Sequence, residues 1–263
     1  MKFLSTIQGF LLDMDGTFYL GDRLLPGAKK LLELLEHKNV RYLFLTNNSS
    51  KHACLYAQKF QSLGVNVPEE NIFTSGQATA IFLKEREAGS KVYVVGTQAL
   101  IDEFVQSGFV IEEQNPDFVV LGFDTALTYE KLWKLCNFVR SGLPYYATHP
   151  DFNCPTEKGF MPDIGAMIAF VAASTGRKPD VIIGKPNRPM VDIITAKLSI
   201  PVNKLAMVGD RLYTDIALGK AGIKTILVLS GETKLEDLEG SEFQPDLIVE
   251  DLAELVEIMG SCN

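Results

Sequence analysis

The sequence is poor in cysteine, in long apolar runs and in positive charge, and each shortage excludes a class of protein. Its four cysteines, Cys54, Cys136, Cys154 and Cys262, are widely separated and lack metal-ligand spacing. We therefore expect reduced, intracellular thiols rather than a disulfide framework. No apolar stretch approaches the roughly 20 residues that span a bilayer. Because residues 1–8 also lack the apolar core and cleavage site of a signal peptide, a cytoplasmic location is expected.

The shortage of basic residues bears on what the protein binds. Lysine and arginine number 25 against 33 aspartates and glutamates, which gives a formal net charge of −8. A nucleic-acid polymer needs a basic face to meet its phosphates, so no such partner is expected. An acidic protein that handles a small anion needs a local cation instead, and a metal ion is the obvious supplier.

The hydrophobic pattern predicts an α/β fold. Short apolar runs alternate with segments of helical period, which indicates βα units around a mostly parallel sheet. In the first and last thirds of the chain, strands are predicted at 9–13, 40–46, 71–74, 181–184, 205–209, 226–229 and 247–249. Helices are predicted there at 26–38, 51–63, 190–198 and 215–221. These two thirds are predicted to form one doubly wound domain.

The middle third has an alternation of its own. Strands are predicted at 92–95, 118–121 and 145–148, and helices at 98–107, 128–140 and 163–174. Because long structureless loops are rare in compact folds, we interpret this segment as an inserted α/β domain. The prediction assigns residues 1–76 and 179–263 to the core domain and residues 77–178 to the insertion.

Polar side chains follow four strands assigned to the core. Asp13 and Asp15 follow the first strand, and Thr46, Asn47 and Asn48 end the second. The strand at 181–184 runs into Lys185, and the strand at 205–209 into Asp210, with Asp215 five residues later. Ligand sites in open parallel sheets form outside the carboxyl ends of the strands, so these side chains are predicted to share one site.

This combination suits phosphoryl chemistry. Asp13, Asp210 and a main-chain carbonyl offer the hard oxygen ligands that Mg²⁺ prefers. Asp13 is placed to attack phosphorus, and Asp15 to protonate the leaving oxygen and then deprotonate a water. Lys185 is a candidate for neutralising charge on the transferred group.

Four ordered motifs make the sequence resemble the haloacid dehalogenase-like (HAD) superfamily. They are Asp13-Met14-Asp15-Gly16-Thr17, Leu45-Thr46-Asn47-Asn48-Ser49, Gly184-Lys185-Pro186 and the run from Gly209 to Asp215. Within the superfamily, the motifs are most similar to those of NagD-like and p-nitrophenyl-phosphatase-like enzymes. The resemblance covers essentially the full length, and it implies a Rossmann-like core, a large α/β cap and phosphatase activity.

The resemblance also implies a role for each motif residue. Asp13 would be the nucleophile and a magnesium ligand, and Asp15 the acid/base, binding the metal through its main-chain oxygen. Asp210 would be the remaining protein ligand of the metal, supported by Asp215 directly or through water. The further implied roles are phosphate binding by Thr46 and Asn47, with Asn48 beside them, and steadying of the phosphoryl group by Lys185.

Other interpretations of single residues stay open. The Thr46–Ser49 run is also a favourable helix cap, and Asp215 is also a residue that a helix dipole favours. His149, in a loop after a predicted cap strand, is a candidate substrate contact, although a lone loop histidine is more often structural. Trp133 is interpreted as cap-helix core or a subunit interface. The acidic segment 250–257 is predicted to be a solvated amphipathic helix.

The predicted function is therefore magnesium-dependent hydrolysis of a small phosphomonoester, such as a sugar phosphate or a nucleoside monophosphate. Two alternatives remain at this stage. One is a phosphotransferase or mutase that uses the same aspartyl-phosphate, and the other is a phosphate-binding protein without catalysis. The leaving group is not fixed by the core motifs. The sequence leaves the oligomeric state open, and the resemblance favours a cap-mediated homodimer.

Overall fold

The computed structural model describes residues 3–156 and 159–261, and within them the predicted α/β fold is confirmed. Contacts divide the chain into two units. The first comprises the described parts of Met1–Thr46, Ala57–Phe73 and Ile194–Asn263, and the second comprises Asn47–Tyr56 and the described part of Thr74–Ile193. The residue bounds predicted for the core domain and the insertion stay a prediction.

The secondary structure follows the predicted alternation closely. The strands are β1 Gly9–Leu12, β2 Tyr19–Leu20, β3 Arg23–Leu24, β4 Arg41–Thr46, β5 Ile72–Thr74, β6 Lys91–Val95, β7 Val110–Ile111, β8 Phe118–Leu121, β9 Tyr145–Ala147, β10 Asn153–Thr156, β11 Gly159–Pro162, β12 Val181–Ile182, β13 Leu205–Gly209, β14 Lys224–Val228 and β15 Leu247–Val249. The α-helices are α1 Ala28–His37, α2 Ala53–Ser62, α3 Ser75–Arg86, α4 Gln98–Gln106, α5 Tyr129–Arg140, α6 Ile164–Thr175, α7 Arg188–Leu198 and α8 Leu252–Ser261. Short 3₁₀ helices lie at Leu4–Thr6, Glu69–Asn71, Val202–Lys204, Ile216–Ala221 and Leu235–Leu238.

A six-stranded sheet organises the first unit, in the order β15-β14-β13-β1-β4-β5. β1 pairs in parallel with β13 on one side and β4 on the other, so that Gly9 faces both Leu205 and Arg41. All four residues of β1 are buried, as expected for a central strand that is covered on both faces. The sheet therefore places the ends of β1, β4 and β13 side by side.

Helices α1 and α8 pack against each other in the first unit. A Cβ at Gly27, which precedes α1 with φ +80°, would overlap the main chain of Ala253. Glycine is required there, both for the left-handed conformation and for the close approach of the two helices. Leu252 and Leu255 of α8 are fully buried. The predicted amphipathic helix therefore exists, with its apolar side in the core and its acidic side in solvent.

A five-stranded sheet, in the order β12-β9-β8-β6-β7, organises the second unit. One strand prediction is wrong here. The strand at 181–184 is predicted to belong to the core domain. In the structure, β12 instead pairs in parallel with β9, with Val181 opposite Tyr146. Lys185 therefore follows a strand of the second sheet. The reason is that a short apolar run satisfies either parallel sheet equally well, because both have buried strands.

Two further details of the second unit differ from the sequence interpretation. Trp133 on α5 is 61% exposed, so it is not part of the helix core, whereas its neighbour Leu132 is buried. The loop that follows His149 includes an antiparallel hairpin, β10–β11, in which Cys154 faces Met161.

The predicted reduced thiols are present where the structure describes them. Cys54, Cys136 and Cys154 take part in no disulfide bond, while Cys262 lies outside the described residues. In the part of the chain that is described, no helix has both the length and the apolar character needed to cross a membrane.

Candidate active site

The loop after β1 is shaped to present carboxylates. The main-chain N–H of Asp13 donates to the carbonyl of Val208 at 2.9 Å, which continues the β1–β13 pairing by one residue. The chain then turns sharply, because the carbonyl of Met14 accepts N–H bonds from Phe18 and Tyr19. Asp13 is 8% exposed, and Asp15 is partly buried, with the Tyr19 hydroxyl 3.5 Å from its Oδ2.

Three buried carboxylates converge at the carboxyl ends of β1 and β13. One oxygen from each of Asp13, Asp210 and Asp215 lies within 4.8 Å of the other two. Asp210 and Asp215 are at most 1% exposed. The structure thus brings together three of the predicted metal-site residues, from positions almost 200 residues apart in the chain.

Hydrogen bonds fix the orientation of this carboxylate cluster. Asp210 accepts from the Thr17 hydroxyl at 3.1 Å and from the main-chain N–H of Glu232 at 2.7 Å. Asp215 accepts from the main-chain N–H of Arg211 at 3.2 Å. Burial and the neighbouring Asp215 carboxylate raise the pKa of Asp210 to about 6. Such mutual repulsion is relieved when a cation is shared between the carboxylates.

The donor set fits a hard divalent cation. All three side chains offer oxygen, the ligand atom that Mg²⁺, Ca²⁺ and Mn²⁺ prefer. Glycines leave room for the carboxylates: a Cβ at Gly16 or Gly231 would overlap Oδ2 of Asp210, and one at Gly209 would overlap Oδ2 of Asp215. The main chain therefore approaches the cluster as closely as glycine permits.

Gly231→Ala is expected to weaken divalent-cation binding by about 10–100-fold, because the new methyl group displaces the Asp210 carboxylate. Calorimetric titration with Mg²⁺ and Mn²⁺ measures this. Gly219→Ala is the matched control, since its Cβ meets nothing closer than Thr225 Cγ2 at 3.6 Å. Equal affinities in the two variants would contradict the assignment of Asp210 as a ligand.

A second group of predicted residues meets within the second unit. The side chain of Asn47 donates to the Lys185 carbonyl at 3.0 Å and accepts from the Lys185 N–H at 2.8 Å. It also donates to Oδ1 of Asp151 at 3.0 Å. Asn47, Lys185 and Asp151 are all at most 5% exposed. The Asn47 amide is thus used within the protein, so contact with a phosphate would fall to its main-chain N–H.

The remaining residues of the Thr46–Ser49 motif have separate tasks. Thr46 is the buried last residue of β4. The Asn48 side chain accepts from the N–H and the hydroxyl of Ser50, which forms a local turn. Because α2 begins only at Ala53, Asn48 does not cap this helix. Ser49 is buried, and its hydroxyl contacts that of Thr148 at 2.9 Å and accepts from the Phe123 N–H. The phosphate roles predicted for Thr46, Asn47 and Asn48 stay predictions.

His149 is fully buried, and two carboxylates flank it. Its Nδ1 accepts from the Asp151 N–H at 3.4 Å and lies 3.8 Å from Asp151 Oδ2, while its Nε2 lies 3.6 Å from Asp163 Oδ1. Complete burial favours the structural interpretation of this histidine, and its contact with substrate stays a prediction. Sequence reasoning missed Asp151 and Asp163. The sequence features that could have indicated them are an acidic residue two positions after His149 and an acidic residue at the predicted start of α6.

A parallel α/β sheet that brings one aspartate after its central strand together with two further buried aspartates, in a cluster that could hold a metal ion, is typical of a class of hydrolase. The sequence matches the family model for haloacid dehalogenase-like hydrolases over residues 10–110, and a second, HAD-hydrolase-like model over residues 182–255. The chain belongs to the haloacid dehalogenase-like hydrolases, as its motifs predicted.

The similarity to individual relatives extends over nearly the whole chain. The ribonucleotide monophosphatase NagD of Escherichia coli K12 is 37% identical, with 95% of this chain and 98% of that protein covered. An acid sugar phosphatase of Staphylococcus haemolyticus is 35% identical, with 95% of each covered. The crystal structure of a 4-nitrophenylphosphatase from Thermotoga maritima superposes with a TM-score of 0.94 at 52% identity, covering 97% of this chain and 98% of that one. The predicted NagD-like and nitrophenylphosphatase-like relationship is confirmed.

Proposed function

We propose that this protein is a Mg²⁺-dependent phosphatase that hydrolyses small phosphomonoesters through a covalent aspartyl-phosphate. The observation that carries the proposal is the cluster of Asp13, Asp210 and Asp215 at the carboxyl edge of the sheet. A nucleophile, a proton carrier and a cation site would thus be held by the segments that follow two neighbouring strands of one sheet, β1 and β13. Phosphatase activity is also what the names of the relatives describe.

In the proposed first step, a carboxylate oxygen of Asp13 attacks phosphorus. The bond to the leaving oxygen breaks, and Asp15 donates a proton to the departing alkoxide. In the second step, Asp15 takes a proton from water, the hydroxide attacks phosphorus, and inorganic phosphate leaves with regeneration of Asp13. Asp15 lies partly buried in the turn directly after Asp13, and this closeness in the chain supports a role in proton transfer beside the nucleophile.

The binding groups are proposed on the motif match. Thr46 through its hydroxyl and Asn47 through its main-chain N–H would hold phosphate oxygens, with Asn48 capping the turn behind them. Lys185 would neutralise charge on the phosphoryl group. Asp13, Asp210 and Asp215 would hold the cation, which supplies positive charge against phosphoryl oxygens when bound.

Among the hard cations that an all-oxygen donor set admits, we propose Mg²⁺, because it typically binds carboxylates together with substrate phosphate. We propose the segment 77–178 as the cap, which would exclude bulk water during turnover. His149 as a substrate contact, a cap-mediated homodimer and a cytoplasmic location stay predictions from the sequence.

The test is release of free phosphate by the purified protein. A panel of nucleoside monophosphates, sugar phosphates and 4-nitrophenyl phosphate is incubated with and without Mg²⁺, and phosphate is measured. We expect metal-dependent release from at least one substrate class. Transfer of the phosphoryl group to an added sugar without free phosphate would identify a transferase instead. Binding of the esters without any turnover would identify a phosphate-binding protein.

A further inference from the structure

We propose that Asn47 and Asp151 are positioning residues that clamp the main chain of Lys185 and so hold its side chain in place. The proposal deepens the proposed function, since it rests on the part that Lys185 has in phosphoryl transfer. Asp151 belongs to none of the four sequence motifs. Its role is inferred from contacts within the second unit that join three distant segments of the chain.

The Asn47 carboxamide is the centre of the clamp. Its oxygen accepts the Lys185 N–H at 2.8 Å, and its NH₂ group donates to the Lys185 carbonyl at 3.0 Å. Both main-chain polar groups of Lys185 are thereby held by one rigid, planar side chain. The NH₂ group also donates to Asp151 Oδ1 at 3.0 Å, so both of its hydrogens are used.

Asp151 orients the Asn47 amide. A carboxylate only accepts hydrogen bonds, so it dictates that the nitrogen, rather than the oxygen, of the Asn47 side chain faces it. That orientation in turn leaves the Asn47 oxygen facing the Lys185 N–H. The main chain of Asn47 is held as well, because the Ser75 hydroxyl donates to its carbonyl.

Asp151 lies next to two further buried polar side chains. Its second carboxylate oxygen lies 3.8 Å from His149 Nδ1, and Nε2 of the same ring lies 3.6 Å from Asp163, the residue that caps α6. The three side chains are at most 4% exposed. Side chains buried this deeply are closely packed by their neighbours, and this limits the positions open to the Asp151 carboxylate.

Glycine at position 184 permits the clamp to close. A Cβ there would lie 2.6 Å from Asn47 Oδ1 and 2.7 Å from both His149 Cβ and the Thr148 carbonyl. Any larger residue would push the Lys185 peptide away from Asn47. Lys185 is 2% exposed, and a lysine so deeply buried has few alternative positions for its ammonium once its main chain is fixed.

Asp151→Ala is expected to lower kcat by about 10–100-fold with KM changed less than threefold, because a displaced charge weakens stabilisation of the transition state more than ground-state binding. Asp151→Asn retains an acceptor oxygen toward Asn47 and is expected to recover kcat to within fivefold of the parent. A residue needed only for folding would not produce this split between kcat and KM.

Hydrogen exchange of the Lys185 main-chain N–H, followed by NMR, measures how firmly the clamp holds this group and does not depend on activity. We expect its protection to fall at least tenfold in Asp151→Ala and in Asn47→Ala, and to be retained in Asp151→Asn. Glu103→Gln is the matched control, since Glu103 is a buried carboxyl of the same unit that contacts Thr74 instead. That variant is expected to leave both kcat and the Lys185 amide unchanged.

The two measurements separate the proposals. A parent protein without phosphatase activity would overturn the proposed function, and the exchange of the Lys185 amide would then decide the clamp alone. Unchanged exchange and kcat within twofold in a folded Asp151→Ala protein would overturn the clamp. If Asp151→Ala fails to fold, the same criteria apply to Asn47→Ala.

Discussion

Asp13→Asn is expected to lower kcat by about 10⁴-fold or more while the protein keeps its fold. The amide has the same shape as the carboxylate, but it cannot form the phosphoenzyme, and loss of a covalent nucleophile is among the most costly changes an enzyme can undergo. Phosphate release measures the rate, and circular dichroism measures the fold.

The control for this change is Glu257→Gln, which removes one negative charge from the exposed side of α8. It is expected to leave kcat within twofold of the parent. Rapid acid quenching after mixing with a ³²P-labelled ester should trap labelled parent protein and leave Asp13→Asn unlabelled. Turnover by Asp13→Asn within tenfold of the parent would refute the covalent mechanism.

Mg²⁺ is expected to raise the melting temperature of the first unit by about 5–10 °C at a concentration one hundred times its Kd. Binding to the folded state alone contributes about 2.7 kcal/mol under that condition, and each kcal/mol moves Tm by roughly 2–4 °C in a chain of this size. Relief of the repulsion between buried Asp210 and Asp215 is part of the binding energy. Differential scanning calorimetry with and without the ion measures the shift.

Asp210→Asn is expected to abolish this shift, since it removes a carboxylate from the centre of the cluster. Glu257→Gln is expected to retain it. An equal increase in Tm from the same ionic strength of NaCl would show that the effect is general screening. A parent protein whose Tm responds to no divalent cation would contradict the assignment of the three aspartates as a metal site.

Most of the secondary structure could be predicted because the alternation of strands and helices follows from local sequence patterns. The strand at 118–121 and the helix at 128–140 follow directly from an apolar run and a segment of helical period. Which sheet a strand joins is not local information. The Val181 run carries no feature that distinguishes pairing with β9 from pairing with a strand of the first sheet, and this is why its assignment was wrong.

In the candidate site, too, local sequence patterns predict some residues and cannot predict those that depend on distant contacts. Asp13, Asp210 and Asp215 could be predicted to meet, because each stands at or soon after the end of a strand and the rule for parallel sheets brings strand ends together. Asp151 could not, because its role depends on a contact with Asn47 across 104 residues. Trp133 illustrates the limit for hydrophobic residues, since helical spacing alone does not reveal that its side of α5 is left exposed.

The position of β1 between β4 and β13 has a consequence for the order in which the protein is made. β4 is synthesised soon after β1, whereas the partner of Gly9 in β13 is Leu205. The second edge of β1 therefore stays uncovered until β13 has been synthesised. The strands of the second sheet, by contrast, are all synthesised before residue 183. The middle of the chain can therefore complete its sheet first, and the loop after β1 acquires its neighbouring aspartates only once Asp210 and Asp215 have been synthesised.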